Sequence, residues 1–104
     1  MNPQTVDLNT ENLAPMTEKE MRAEMNFNAG AKRIYEKAQT ATAEQKAQLV
    51  EIRRNEMMKA LVAYKQAVQF RPSYAPADRP TKSESDALAM FHGARKAYRF
   101  ALAL

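Results

Sequence analysis

The sequence predicts an all-α protein, a small helical hairpin or bundle with one long central helix. Residues 42–71 contain neither Gly nor Pro, which leaves an uninterrupted stretch long enough for that helix. Apolar residues recur at helical spacing on both sides of a segment, residues 72–82, that holds three prolines. These two observations favour separate helices joined by a linker.

The central helix is predicted over residues 42–71. Its apolar residues step by seven, four, three and four positions, which places them on one side of a helix: Val50, Met57, Leu61, Tyr64 and Val68. Thr42 and Gln45 have the spacing of a capping box, which marks the start. Pro72 marks the end, because proline disfavours a helical conformation in the residue before it.

Residues 17–40 are predicted as a helical region with a kink or break near 28–30. Thr17 and Glu20 form a second capping box, and poor helix formers between Asn26 and Gly30 separate two apolar faces that do not line up. The short link at 39–42 favours an antiparallel hairpin with the central helix. One continuous helix over 31–70 is the alternative.

The last helix is predicted over residues 83–103, beginning near Ser83. Its stripe alternates small residues with rings: Ala87, Phe91, Ala94, Tyr98 and Ala101. The proline-rich linker 72–82 is expected to be stiff and extended, which leaves the direction of this helix open. Tyr74 in the linker is interpreted as a clip onto the bundle, or alternatively as an anchor for a partner.

Residues 1–16 lack periodicity and are predicted to form an extended arm, whereas residues 17–104 form a single helical domain. A simple solvated tail is the alternative for the arm. Residues 1–30 carry five acidic and two basic side chains, a net charge of −3, and residues 31–104 carry a net charge of +7. This asymmetry indicates pairing within the chain or with a neighbouring subunit.

Eight apolar residues are candidate contacts with a protein partner, because they lie in the arm, in the linker, off the main stripes or at the last residue. They are Val6, Leu8, Leu13, Met58, Val62, Tyr74, Phe100 and Leu104. A helix that is apolar on more than one side usually touches two neighbours, so Met58 and Val62 point to a second contact within the bundle or to another protein. Phe100 falls opposite the stripe of the last helix and is expected to be an exposed apolar spot.

Six basic residues are candidate contacts with an anion or a nucleic acid: Arg53, Arg54, His92, Arg95, Lys96 and Arg99. The last four follow one another at i, i+3, i+4 and i+7, on one flank of the last helix. A flank of this kind is also typical of a solvated surface near a helix C-terminus. The flank has no interleaved aromatic residue of the kind that nucleic-acid modules use for stacking.

The composition argues against several functions. The chain has no Cys, one His and two Gly, which excludes thiolate chemistry, multi-histidine metal sites and glycine-rich phosphate loops. No cofactor, metal site or enzyme activity is therefore expected. No segment approaches the roughly 18 apolar residues of a membrane span, and residues 1–15 lack the pattern of a signal peptide. A cytoplasmic protein is expected, or a virion protein if the source is a phage.

The function predicted from these features is a non-catalytic structural or adaptor subunit that docks into a homo-oligomer or a larger assembly. A phage or virion component is one version of this hypothesis. A nucleic-acid-binding or regulatory protein that uses the basic flank is one alternative, and a small inhibitor of a host protein is another.

Overall fold

The computed structural model describes residues 6–104, which form four α-helices and no strand. The helices are α1 (Glu18–Phe27), α2 (Ala29–Ala38), α3 (Ala43–Gln69) and α4 (Lys82–Ala103). The all-α prediction with one long central helix is confirmed. The described part of the chain is elongated, with extents of 53 × 25 × 23 Å.

The break between α1 and α2 is made by a single residue, Asn28. Its side-chain Oδ1 accepts hydrogen bonds from the backbone amides of Gly30, at 2.9 Å, and Ala31, at 3.2 Å. Its own backbone is extended, so it ends α1 and caps α2. Asparagine is among the preferred N-cap residues because its oxygen satisfies amides that have no partner in the first turn. The predicted break near 28–30 is therefore confirmed.

The start of α3 is the predicted capping box. Thr42 Oγ1 accepts a hydrogen bond from the Gln45 amide at 3.1 Å, and Gln45 Oε1 accepts one from the Thr42 amide at 2.9 Å. Residues 39–42 interrupt the helix, so the continuous-helix alternative is wrong. The expected hairpin of α2 against α3 is not found either, because α3 packs closely against α4 and α2 packs closely against α1.

The α3 and α4 helices form an antiparallel hairpin. Arg71, just after α3, lies 3.4 Å from Glu84 in the first turn of α4, and Leu49 near the start of α3 lines the same groove as Ala101 near the end of α4. The core of this hairpin is the cluster of Met57, Leu61 and Phe91, which is formed by the predicted stripes of the two helices.

A second apolar cluster covers the opposite face of α4. Phe100 is only 4% exposed and belongs to a cluster with Met16, Met21 and Ala31. The expectation that Phe100 is exposed is wrong, because α1 and α2 pack on the face that lies about 180° from Phe91 on the helical wheel. Leu104 is half-buried against the same cluster. The helix α3, the arm and the α1–α2 pair therefore all pack on α4.

The proline-rich linker folds into two turns and is not extended. The Arg71 Nη2 atom donates hydrogen bonds to the backbone carbonyl oxygens of Pro76 and Arg79, which draws the linker around one side chain. The Ala75 amide donates to the Pro72 carbonyl at 3.0 Å, which closes the first turn. The N-cap of α4 is Thr81, whose hydroxyl accepts from the Glu84 amide at 3.1 Å, so α4 begins slightly before the predicted start.

Candidate functional site

The basic flank of α4 holds the N-terminal arm against the body of the protein. The Arg95 Nη1 atom donates hydrogen bonds to the carbonyl oxygens of Asp7 and Asn9, both at 3.3 Å, and lies 3.1 Å from a carboxylate oxygen of Asp7. His92 Nε2 lies 3.4 Å from the same Asp7 carbonyl oxygen. The guanidinium carbon of Arg95 lies 5.4 Å from the centre of the Phe91 ring, so its charge lies over a buried ring of the hairpin core.

Arg99 fastens both the arm and α1. Its Nε donates to the Ala14 carbonyl at 2.8 Å, and its two terminal nitrogens lie 3.1 Å and 3.0 Å from the two carboxylate oxygens of Glu20. Together with a hydrogen bond from the Thr17 amide, this fork lowers the pKa of Glu20 to about 2. Such bidentate geometry fixes orientation as well as charge, so Arg99 sets how α1 sits on α4.

The positive charge of the flank is balanced by acidic residues of the arm and α1. Arg95 pairs with Asp7 and Arg99 pairs with Glu20, while Lys96 lies 3.6 Å from Glu24. The hydrogen bond from the Asn9 amide and, after it, the Arg95 guanidinium lower the pKa of Asp7. Affinity for nucleic acid comes chiefly from unpaired cations that neutralise phosphates. Charge pairing therefore removes most of the basis on which the flank was expected to bind nucleic acid.

One exposed aromatic side chain that was not among the predicted contacts lies beside this flank. Phe27 is 92% exposed and lines a groove of about 440 Å³ together with His92 and Lys96. Glu20 and Glu24 line the same groove, so it presents acidic as well as basic groups. The spacing of apolar residues could not show that Phe27 is exposed, because exposure depends on which elements pack beside the end of α1.

The apolar residues of the arm are used within the chain. Leu8 and Leu13 pack against the hairpin core of Met57, Leu61 and Phe91. Val6 lines a cavity of about 290 Å³ near the start of α4. The arm therefore lies against the body of the protein, where Leu8 and Leu13 have packing partners in their own chain and Val6 lines a cavity.

The two arginines of α3 have different surroundings. The Arg53 Nη1 atom donates to Glu56 Oε1 at 2.9 Å, and the side chain lines a groove of about 330 Å³ with Lys96 and Phe100. Arg54 is exposed. The structure therefore brings Arg53 near Lys96 of the basic flank, although Arg53 is already paired with a carboxylate.

The two apolar residues of α3 that lie off its main stripe differ in burial. Met58 is half-buried against the hairpin core, whereas Val62 is exposed. Leu8 and Leu13 of the arm pack on the same cluster as Met58.

The loop that joins α3 to α4 presents two aromatic rings to solvent, and we call this end of the hairpin the tip. Tyr74 is 88% exposed and Phe70 is 73% exposed. The expectation that Tyr74 clips onto the bundle is wrong. Phe70 was not among the predicted contacts, because it lies at the end of α3 and outside the apolar stripe of that helix.

The tip is held by an ion pair that the sequence did not indicate, between the buried Glu84 and the partly exposed Arg71. Glu84 is 6% exposed, and its Oε1 lies 3.4 Å from the Arg71 Nε. The two nitrogens of Arg71 thereby connect the first turn of α4 to the carbonyls of Pro76 and Arg79. A buried charge is costly unless it is paired, and Arg71 is the cation that the structure places beside Glu84.

Over residues 6–104, no helix is both long enough and apolar enough to cross a membrane. Within the same range, no three acidic or histidine side chains come together as ligands for a metal ion. Comparison with protein-family models, with curated proteins and with solved structures gives no match to this chain.

Proposed function

We propose that this chain is a non-catalytic structural or adaptor subunit that docks into a larger protein assembly through the tip of the α3–α4 hairpin. The observation that carries the proposal is the exposure of Phe70 and Tyr74 on a loop that Arg71 holds in place. Aromatic residues dominate the energetics of protein interfaces, and they are enriched where a few residues supply most of the binding energy.

The rigidity of the loop supports this proposal. A partner that binds a flexible loop must offset the entropy lost when each side chain and backbone segment becomes ordered. The tip has three prolines, and Arg71 bonds to two of its carbonyls, so much of that entropy is already lost in the free protein. Rigid rings on such a loop are typical of a preorganised contact surface.

The other hypotheses have less support. The nucleic-acid alternative depends on cations that are paired with Asp7, Glu20 and Glu24. A small inhibitor of one host protein would use the same tip, and the identity of the bound partner separates that hypothesis from an assembly subunit. We place the protein in the cytoplasm or, in the phage version of the hypothesis, in the virion.

The test is site-specific photo-crosslinking in the cells from which the gene comes. A photoreactive phenylalanine analogue replaces Tyr74 in one variant and the exposed Lys59, on the outer side of α3, in the matched control. We expect discrete adducts with a protein partner from position 74 and none of the same mass from position 59. Equal adducts from both positions, or none from position 74, would refute docking through the tip.

A further inference from the structure

The groove that receives the arm recognises an extended main chain. Arg95 and Arg99 donate to the carbonyl oxygens of Asp7, Asn9 and Ala14, which any residue type would present. Selectivity is added at three points: the leucine side chains at 8 and 13, which pack on the hairpin core, and the Asp7 carboxylate, which pairs with Arg95. This side of α3 and α4 therefore has the properties of a binding site for an extended, acidic, leucine-bearing segment.

The arm owes its order to this groove. Residues 6–16 contain no helix or strand, and the arm makes two local turns of its own, with hydrogen bonds from the Asn9 amide to Asp7 and from the Glu11 amide to Asn9. At its end, the Met16 amide donates to the Arg99 carbonyl of α4 at 3.1 Å. The chain bends at Asn12, where φ is 53°, in the left-handed region that asparagine tolerates better than most residues. The arm is therefore a separable segment, and it connects to the body through Pro15.

The hydrogen-bonded residues of the arm and of α4 lie 85 to 88 residues apart in sequence, and the same contacts are available between two molecules. The described arm carries Asp7 and Glu11, whereas the groove side carries Arg95 and Arg99. Exchange of an identical segment between copies keeps every contact and changes only which molecule supplies it.

We propose that the groove also accepts the arm of a second copy, so that two molecules associate by exchanging their arms. The proposal names a partner and a surface that differ from those of the tip. It rests only on the contacts of the arm, and Phe70 and Tyr74 are unchanged in every variant below.

Two full-length variants with complementary defects test the exchange. The arm-defective variant carries Leu8→Asp with Leu13→Asp, which leaves its groove empty. The groove-defective variant carries Arg95→Glu, which repels Asp7 and leaves its arm free. We expect each variant alone to be monomeric by light scattering and an equimolar mixture to contain a 1:1 heterodimer. A mixture that stays monomeric while both variants keep the helicity of the wild-type chain would overturn the proposal.

The matched control replaces the groove-defective variant with Lys59→Glu, an equal charge reversal on the exposed side of α3. Its own arm still fills its own groove, so its mixture with the arm-defective variant should form much less heterodimer. Equal heterodimer formation in the two mixtures would refute a role for Arg95 and the groove.

A second measurement uses only the wild-type protein and synthetic peptides, so it does not depend on the folding of a variant. A synthetic peptide of residues 6–16 is added to the isotope-labelled wild-type chain, and the amide signals of the chain's own Leu8 and Leu13 are followed by NMR, because these residues leave the groove when the peptide takes their place. We expect saturable shifts at these two residues and none with a peptide that carries both leucine-to-aspartate changes. Binding should require millimolar peptide, because the tethered arm competes at an effective concentration of about 1 mM. Absence of shifts at that concentration, or equal shifts with both peptides, would overturn the proposal.

Discussion

Phe100 is buried, although its position on the helical wheel predicted exposure, so its truncation should destabilise the protein. Phe100→Ala removes the ring around which α1, α2 and the end of α4 pack, since Phe100 is 4% exposed and contacts the cluster of Met16, Met21 and Ala31. Truncation of a buried phenylalanine to alanine destabilises proteins by about 3–5 kcal/mol. A groove of about 330 Å³ lies beside Phe100, which gives neighbouring side chains room to relax into the space. We therefore expect about 3 kcal/mol, the lower end of that range.

This loss is large relative to the total stability of a domain of this size, which is about 5–15 kcal/mol. The free energy of unfolding is measured by urea denaturation followed by far-UV circular dichroism, because the chain has no Trp to report by fluorescence. Phe70→Ala is the matched control: the same substitution, at a ring that is 73% exposed, is expected to change the free energy by no more than about 0.5 kcal/mol. A loss below about 1 kcal/mol for Phe100→Ala, or equal losses for the two variants, would refute the placement of α1 and α2 on this face of α4.

Three further predictions concern the hairpin core, the tip and the arm. Leu61→Ala should lower the free energy of unfolding by about 2–5 kcal/mol, and Val62→Ala on the exposed side of the same helix by much less; similar losses in urea denaturation would contradict the assignment of the core face. Arg71→Met leaves the buried carboxylate of Glu84 without its cation. The free energy of unfolding should fall, but by less than the roughly 3–5 kcal/mol typical of fully buried pairs, because the Arg71 side chain is partly exposed. An unchanged melting temperature would argue against the ion pair. The pKa of Glu20 lies at about 2, below its ordinary value of 4.5, so its stabilising effect is complete above pH 4.5 and is lost as pH falls towards 2. Glu20→Gln should flatten the dependence of stability on pH in this window, and a carboxyl NMR titration with a midpoint near 4.5 would contradict the contact with its arginine partner.

The starts of α1 and α3 and the break between α1 and α2 were predictable because their signals are local. The capping boxes at Thr17 and Thr42, the cap at Asn28 and the stop before Pro72 each depend on residues within four positions of one another. Local hydrogen bonds of this kind form whenever the segment becomes helical, whatever packs on it. The apolar stripes of α3 and α4 were equally readable, since the helical repeat fixes which side chains share a face.

Periodicity identifies a face of a helix but not the element that covers it. Burial and contact partners on the other faces therefore depend on the tertiary structure. Phe100 was correctly placed opposite the main stripe, yet only the position of α1 and α2 shows that this face is buried. The basic flank was correctly found, but its partners Asp7, Asn9 and Ala14 lie about 85 residues away in sequence.

The linker shows the same division at shorter range. Its prolines predict stiffness, but its path depends on Arg71, which reaches both Arg79 and Glu84 once α3 and α4 are antiparallel. The sequence by itself thus determined the helices, their faces and the segments between them, because those properties arise from neighbours along the chain. The tertiary structure alone decided that the arm fills a groove, that the basic flank is paired and that the aromatic tip is exposed, because those properties depend on distant residues meeting in space.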